Sequence, residues 1–512
     1  MFKEKISRIQ HRKQTIFSFL IILASAYSLT TAISCKTTNA ELEARIQRIE
    51  AGLIPQPGIV IKGQPAQKAS LAERMIAYKV PGVSIAVIND FKIEWAKGYG
   101  FKEAGGNDPV TTKTLFQAAS ISKPVAGLAA LHFVEQGVLD LDEDVNEKLV
   151  SWKVPENEFT EEKKVSLRGI LSHSAGLTVH GFLGYSYDKN VPTLRQVLDG
   201  EKPANSAPIR VDIEIGKKFR YSGGGFTVMQ QLLIDILNKP FPEIMQGTVL
   251  EKLAMNNSTY EQPLPESLSA QAATAHRMNG KPIKGKWHSY PEMAAAGLWT
   301  TPTDLCRFAI EIMLSKTGRS NKILSQDMIQ QMLSVQIGSL GLGLFLNYEG
   351  DDFRFSHGGG NEGFKCFLGA FPEKGWGAAV MTNGDRGKNL FVEILRSVAA
   401  EYGWNDFLPR KKTVAEISPE IYESYVGTYQ FTPTNKIEIT KENSRLFADP
   451  VFVLPAGKAK CEIFPDTETI FFMTRSYDFI TFLKDKEGRV TGLELKHGNL
   501  KRKATKINLS KF

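Results

Sequence analysis

Hydrophobic and polar positions along this chain fall into three regimes. From residue 66 onward, short apolar runs alternate with amphipathic stretches. Leu71–Tyr78 has helical spacing. Val83–Ile88 is a β-branched run, and Lys92–Gly98 follows it after an Asn89-Asp90 turn. Amphipathic helices are predicted over Arg168–Leu171, Phe226–Leu237 and Leu305–Leu314. Phe364–Phe371 and Gly377–Thr382 read as paired strands with a turn at Pro372–Gly375, and Leu390–Glu401 as a closing helix. Strands at both ends with helices between predict an α/β (α+β) domain whose terminal segments share one antiparallel sheet.

After residue 419 the period changes. Tyr425–Phe431, Lys436–Thr440, Ile470–Met473, Phe479–Leu483 and Val490–Leu495 are short alternating runs with turns between them. This pattern predicts a small all-β barrel or sandwich. The stretch 402–418, with Gly403, Pro409 and Arg410-Lys-Lys, reads as a linker, as does the polar, Pro- and Gly-containing stretch 36–65. The expected layout is therefore 1–35 signal, 36–65 linker, 66–402 catalytic body, 403–418 linker and 419–512 β-domain.

The first regime is the N-terminus. Five basic residues between Lys3 and Lys13 precede an apolar core, Ile16–Leu29, too short for a comfortable membrane span and suited to a secretory signal. Thr31-Ala-Ile-Ser-Cys35 resembles a bacterial lipoprotein cleavage site, with Cys35 as the lipidated residue. Cleavage after Ala24-Ser-Ala26 is the alternative. The expected location is outside the cytoplasm: periplasmic, or held at a membrane by a lipid anchor.

With 512 residues, 42% hydrophobic and 23% charged, the chain has material for a large core without metal or disulfide support. Half of its formal +8 charge lies in the N-terminal segment, so charge gives no reason to expect nucleic acid. Lys501-Arg502-Lys503 reads as a solvated strand end. Besides Cys35 there are Cys306, Cys366 and Cys461, an odd number with no metal-ligand spacing. No cofactor or metal is expected; a single disulfide stays open.

Candidate chemistry begins at Ser120-Ile121-Ser122-Lys123. A serine and a lysine three apart share a helix face, and a serine hydroxyl needs a nearby base before it can attack a carbonyl. Pro124 fits near a helix start, which places Ser120 at the positive end of the dipole. About a hundred residues later, Phe219-Arg-Tyr-Ser-Gly-Gly-Gly225 puts Tyr221 on a glycine-rich loop before a helix. Beside an ammonium its pKa should fall, suiting it to act as base and then acid. In Phe355-Ser-His-Gly-Gly-Gly-Asn361, three glycines at a strand edge expose N–H donors of the kind an oxyanion hole requires. Gly358, Gly360 and Gly363 also match G-x-G-x-x-G, but a strand follows rather than a helix, which removes a dinucleotide reading. Gly280–Lys286 falls short of a P-loop because Trp287 replaces the Ser or Thr. His173 and His276 are expected to be structural.

Taken in order, these three segments resemble the serine β-lactamase and penicillin-binding protein superfamily, in its class C β-lactamase-like branch, over residues 66–400. Val80–Val87, Ser166–Leu177 and Ala296–Leu305 also look like that family, and Tyr425-Val-Gly-Thr-Tyr429 resembles an appended lipocalin-like β-domain. The resemblance implies Ser120 as nucleophile, Lys123 as its activator and Tyr221 as acid/base. His357-Gly358-Gly359 stands in place of the K-T-G strand, and the N–H groups of Ser120 and Gly360 form the oxyanion hole. Gly223, Gly358 and Gly359 fall at substrate-binding positions. Two departures bear on the substrate. Gly223 replaces the asparagine of Y-x-N, and His357 replaces a lysine, so the grip on a substrate carboxylate is weakened. The signal segment and the resemblance together imply an exported serine hydrolase working through an acyl-enzyme on an ester or amide: an esterase, a D-amino-acid peptidase or carboxypeptidase, or a β-lactamase. Its partner would be a small-molecule or peptide substrate, cell-wall fragments among the candidates. The competing reading is a non-catalytic penicillin-binding or cell-wall sensor on the same scaffold.

Overall fold

The computed structural model describes residues 39–349, 352–453, 457–497 and 500–507. Cys35 and the signal segment lie outside the described residues.

A six-stranded antiparallel sheet forms the centre of the larger domain. Its order is Lys92–Gly100, Gly82–Asn89, Trp376–Thr382, Phe364–Phe371, Asp352–Asn361, Phe345–Glu349. The two ends of the domain do share this sheet: Ile85 lies opposite Val380. Side chains alternate across a strand, so Gly82–Asn89 serves two cores. Val83, Ile85 and Val87 face a layer made by helices 39–51, Leu71–Tyr78 and Gly387–Tyr402. Ala86 and Ile88 face the larger helical layer, which includes Ser122–Glu135, Gly223–Leu237 and Pro302–Lys316. Leu71–Tyr78 starts at a capping box, Ser70 with Glu73, and stops where Lys79 turns left-handed.

Both expected linkers are structured. Residues 39–51 form a helix whose Ile46 and Ile49, with Leu53 just beyond, are buried against Gly387–Tyr402. Ile59–Ile61 then pairs in parallel with Arg410–Lys412 from the second linker. The stretches 36–65 and 403–418 therefore clasp each other instead of trailing as separate tethers. Behind the clasp lies Glu393, a fully buried carboxylate. It accepts from Arg74 (2.7 and 3.0 Å), from the Tyr78 hydroxyl (2.6 Å) and from the Gln56 backbone N–H (2.7 Å). Gln56 in turn accepts from Tyr477 of the C-terminal domain at 2.5 Å.

The C-terminal domain is a closed eight-stranded antiparallel barrel spanning Gly427–Ile507. Arg445–Val453 and Gly457–Pro465 join the strands expected from periodicity, and Leu500–Ile507 closes the barrel against Gly427–Thr432. Tyr425, Tyr429, Phe471 and Phe482 fill its interior, the first stacked on the last with centroids 4.1 Å apart. Lys501, Arg502 and Lys503 lie exposed within the closing strand. Cys306, Cys366 and Cys461 are all buried free thiols, so no disulfide joins any two of them.

Candidate active site

The Ser120 segment enters as a 3₁₀ turn, Ala119–Ile121, continuous with the Ser122–Glu135 helix. Pro124 is the third residue of that helix, where its missing N–H costs nothing. Ala119 has φ +49°, a left-handed conformation unfavourable for a residue with a Cβ. The turn is held from several sides. Ser122 Oγ donates to the Ala119 carbonyl (2.5 Å) and accepts from the Leu298 N–H (2.9 Å); Ala118 N–H donates to Leu298.

Gly359 lies against the same turn. A Cβ on Gly359 would sit 2.2 Å from the Ala118 carbonyl oxygen and 2.4 Å from Cys366 Sγ, so only glycine fits. Gly359→Ala must therefore displace either strand or turn. Its acylation rate is expected to fall about 10²-fold, the cost of an ångström-scale misplacement of a nucleophile. The check is stopped-flow acylation alongside the unfolding midpoint.

Lys123 Nζ donates to Ser120 Oγ at 3.1 Å and to the Ala295 carbonyl at 2.7 Å. Its side chain is 2% exposed, and among the described residues no carboxylate pairs with it. Burial alone pushes its pKa down to about 7. The amine is thus close to half neutral at physiological pH and is ready to accept a proton.

Tyr221 lies immediately before the N-cap of the Gly223–Leu237 helix, and its phenol feels the Ser120 side chain. Its pKa does not fall as expected from sequence; burial pushes it up to about 12. The Lys123 amine lies over the phenol ring face, 5.1 Å from its centroid, and does not lower the phenol's pKa; burial decides. Tyr221 is therefore a neutral donor in the resting site.

His357, on the Asp352–Asn361 strand, is buried, with its ring centroid 6.3 Å from that of Tyr221. Burial and the neighbouring Lys123 push its pKa down to about 3. Nδ1 lies 2.7 Å from the Gly358 carbonyl and so carries the proton; Nε2 is a bare lone pair with no partner among the described residues. Beyond Ser356, the edge of this strand that pairs with Phe345–Glu349 is left open, and Gly358 and Gly360 are exposed.

Residues 68–401 match the beta-lactamase family, about two-thirds of the sequence. The chain belongs to the beta-lactamase family. Residues 411–511 match a second family, described only as a domain of unknown function, DUF3471. Protein flp of Staphylococcus aureus (strain N315) is 22% identical over 324 residues, which is 59% of this chain and 60% of flp. The chain thus spans less than two-thirds of that curated relative. The octameric penicillin-binding protein homologue of Pyrococcus abyssi shares the fold with a TM-score of 0.59 at 22% identity, over 85% of this chain and 98% of that one. The D-amino acid amidase of Ochrobactrum anthropi SV3 does so at 0.52 and 20%, over 64% and 96%.

Within this beta-lactamase-family body, the region around Gly223 shows why its asparagine is absent. Gly223 N–H donates to the His180 carbonyl, and a Cβ there would lie 3.1 Å from the Phe182 ring and 3.2 Å from that carbonyl. The 178–184 loop occupies the space.

Four features went unread in the sequence. Ala119 carries the strained turn. Ala295, in the one-turn Met293–Ala296 helix, offers Lys123 a backbone carbonyl, which leaves no side-chain signature. Asn361 donates to Gln117 (2.8 Å) and Ala296 (3.1 Å), tying the glycine strand to both flanking loops. His173 is a structural brace set directly against the site. Its ring lies 4.3 Å from that of Tyr221, and its Nδ1 accepts from Ser222 N–H at 3.0 Å, fixing the backbone beside the phenol. His276, in contrast, is fully engaged away from the site, donating to Asn383 and accepting from Ala104.

Proposed function

We propose that this protein is an exported serine hydrolase that acts on an ester or amide through an acyl-enzyme on Ser120. The observation carrying this reading is the buried, unpaired Lys123 amine 3.1 Å from Ser120 Oγ. Lys123 takes the Ser120 proton as Oγ bonds to the carbonyl carbon. The carbonyl oxygen becomes an oxyanion facing the N–H groups of Ser120 and Gly360. Collapse breaks the bond to the leaving group, which takes the Tyr221 proton; Tyr221 is recharged by the Lys123 ammonium. Water then attacks the acyl-enzyme, returning a proton to Lys123 and on to Ser120 Oγ as the acid departs. His357, neutral throughout, contributes no charge to substrate binding.

The test is intact-mass analysis after exposure to a fluorophosphonate, a panel of β-lactams, D-Ala peptides and short-chain esters. A fluorophosphonate adduct on Ser120, with turnover of at least one substrate class, is expected. A protein that binds penicillin and never releases it would instead be a sensor.

The pH dependence follows from Lys123. Only the neutral amine is a base, and its folded pKa lies near 7, so kcat/KM should rise with pH through about 7 and then level off. With Tyr221 at about 12, no descending limb is expected below pH 10. A profile flat from pH 5 to 9 would refute Lys123 as the base.

We propose further that Cys35 is lipidated and holds the enzyme at a membrane. Radiolabelled palmitate should label the wild type, whereas Cys35→Ala should go unlabelled and appear in the soluble fraction.

A further inference from the structure

The aromatic side chains around Tyr221 are not distributed evenly. Phe219, 42% exposed, lies edge-on to His173, and its ring centroid is 6.5 Å from that of Phe345. Phe345 lies 5.4 Å from His357, which adjoins Tyr221. These rings form a continuous apolar shelf that ends at the group proposed to protonate the leaving group.

The polar character of this side is equally specific. His357 spends its proton on the Gly358 carbonyl and turns a lone pair inward, so it accepts hydrogen bonds and offers none to an anion. Gly358 and Gly223 bring no side chain. Charge is not absent from this side: Lys218, exposed, adjoins Phe219 in sequence, and the Lys123 amine lies over the Tyr221 ring.

Resting on the acyl-enzyme reading, we infer that this cleft selects substrates whose leaving group is flat or aromatic, seated on Phe219 and Phe345. The shelf adjoins the proton donor to the leaving group, which assigns it to the leaving-group side of the scissile bond.

The experiment compares benzyl acetate and methyl acetate, which share the same acyl group. Benzyl acetate is expected to exceed methyl acetate in kcat/KM by about tenfold or more, the scale of modest apolar complementarity. In Phe219→Ala and Phe345→Ala the benzyl-to-methyl ratio should collapse toward one. That ratio does not depend on the folded fraction of either preparation. Equal rates for the two esters, or a ratio unchanged in both variants, overturns the inference while leaving the nucleophile in place. Failure of fluorophosphonate to label Ser120 overturns the underlying reading instead.

Discussion

Ser120→Ala and Lys123→Met, separately or together, should each reduce turnover by about the same factor, of order 10³ or more. Residues that act as one unit in a single proton transfer are not additive when removed. Lys123 Nζ is the group that both touches Ser120 Oγ and titrates near neutrality, so losing it leaves a hydroxyl with no base beside it. Methionine keeps most of the buried volume. It leaves the Ala295 carbonyl without its donor, a cost of about 1–3 kcal/mol, so the protein should stay folded. Steady-state kinetics on the best ester from the substrate panel, with an unfolding curve for each variant, give the result. A folded Lys123→Met within tenfold of wild type would transfer the role of base to another group.

Glu393→Ala should be the most damaging substitution away from the site. The carboxylate is fully buried and binds Arg74, Tyr78 and the Gln56 N–H simultaneously. Removing it strands a guanidinium in the core, which costs about 3–5 kcal/mol. For a body of this size the melting temperature should fall by about 5 °C. The double variant Arg74→Met, Glu393→Leu should recover much of the loss, because replacing both partners avoids the uncompensated charge. Denaturant unfolding monitored by tryptophan fluorescence measures both. A loss below about 1 kcal/mol for the single variant would mean that water reaches Arg74.

The candidate site residues were legible because they sit on sequence-local devices. Ser120 and Lys123 share one turn, Tyr221 precedes a helix cap, and His357 opens a glycine run. The sheet was legible because Val83–Ile88 and Gly377–Thr382 are continuous apolar runs, as strands buried on both faces must be. Ionisation was not legible. The pKa of Tyr221 is set by the burial of its phenol, and only packing fixes that. The 39–51 helix did leave a signal, with Leu42, Ile46, Ile49 and Leu53 at helical spacing, but the Pro and Gly just beyond obscured it. In the barrel, Arg445–Val453 contains Pro450, and half of Leu500–Ile507 is lysine or arginine; neither resembles an apolar strand.

The clasp between Ile59–Ile61 and Arg410–Lys412 brings the two borders of the beta-lactamase-family body side by side. A module whose entrance and exit adjoin is a portable cassette. It can be spliced into a loop of another protein, or exchange its barrel for a different appendage. Neither event moves the turn that carries Ser120.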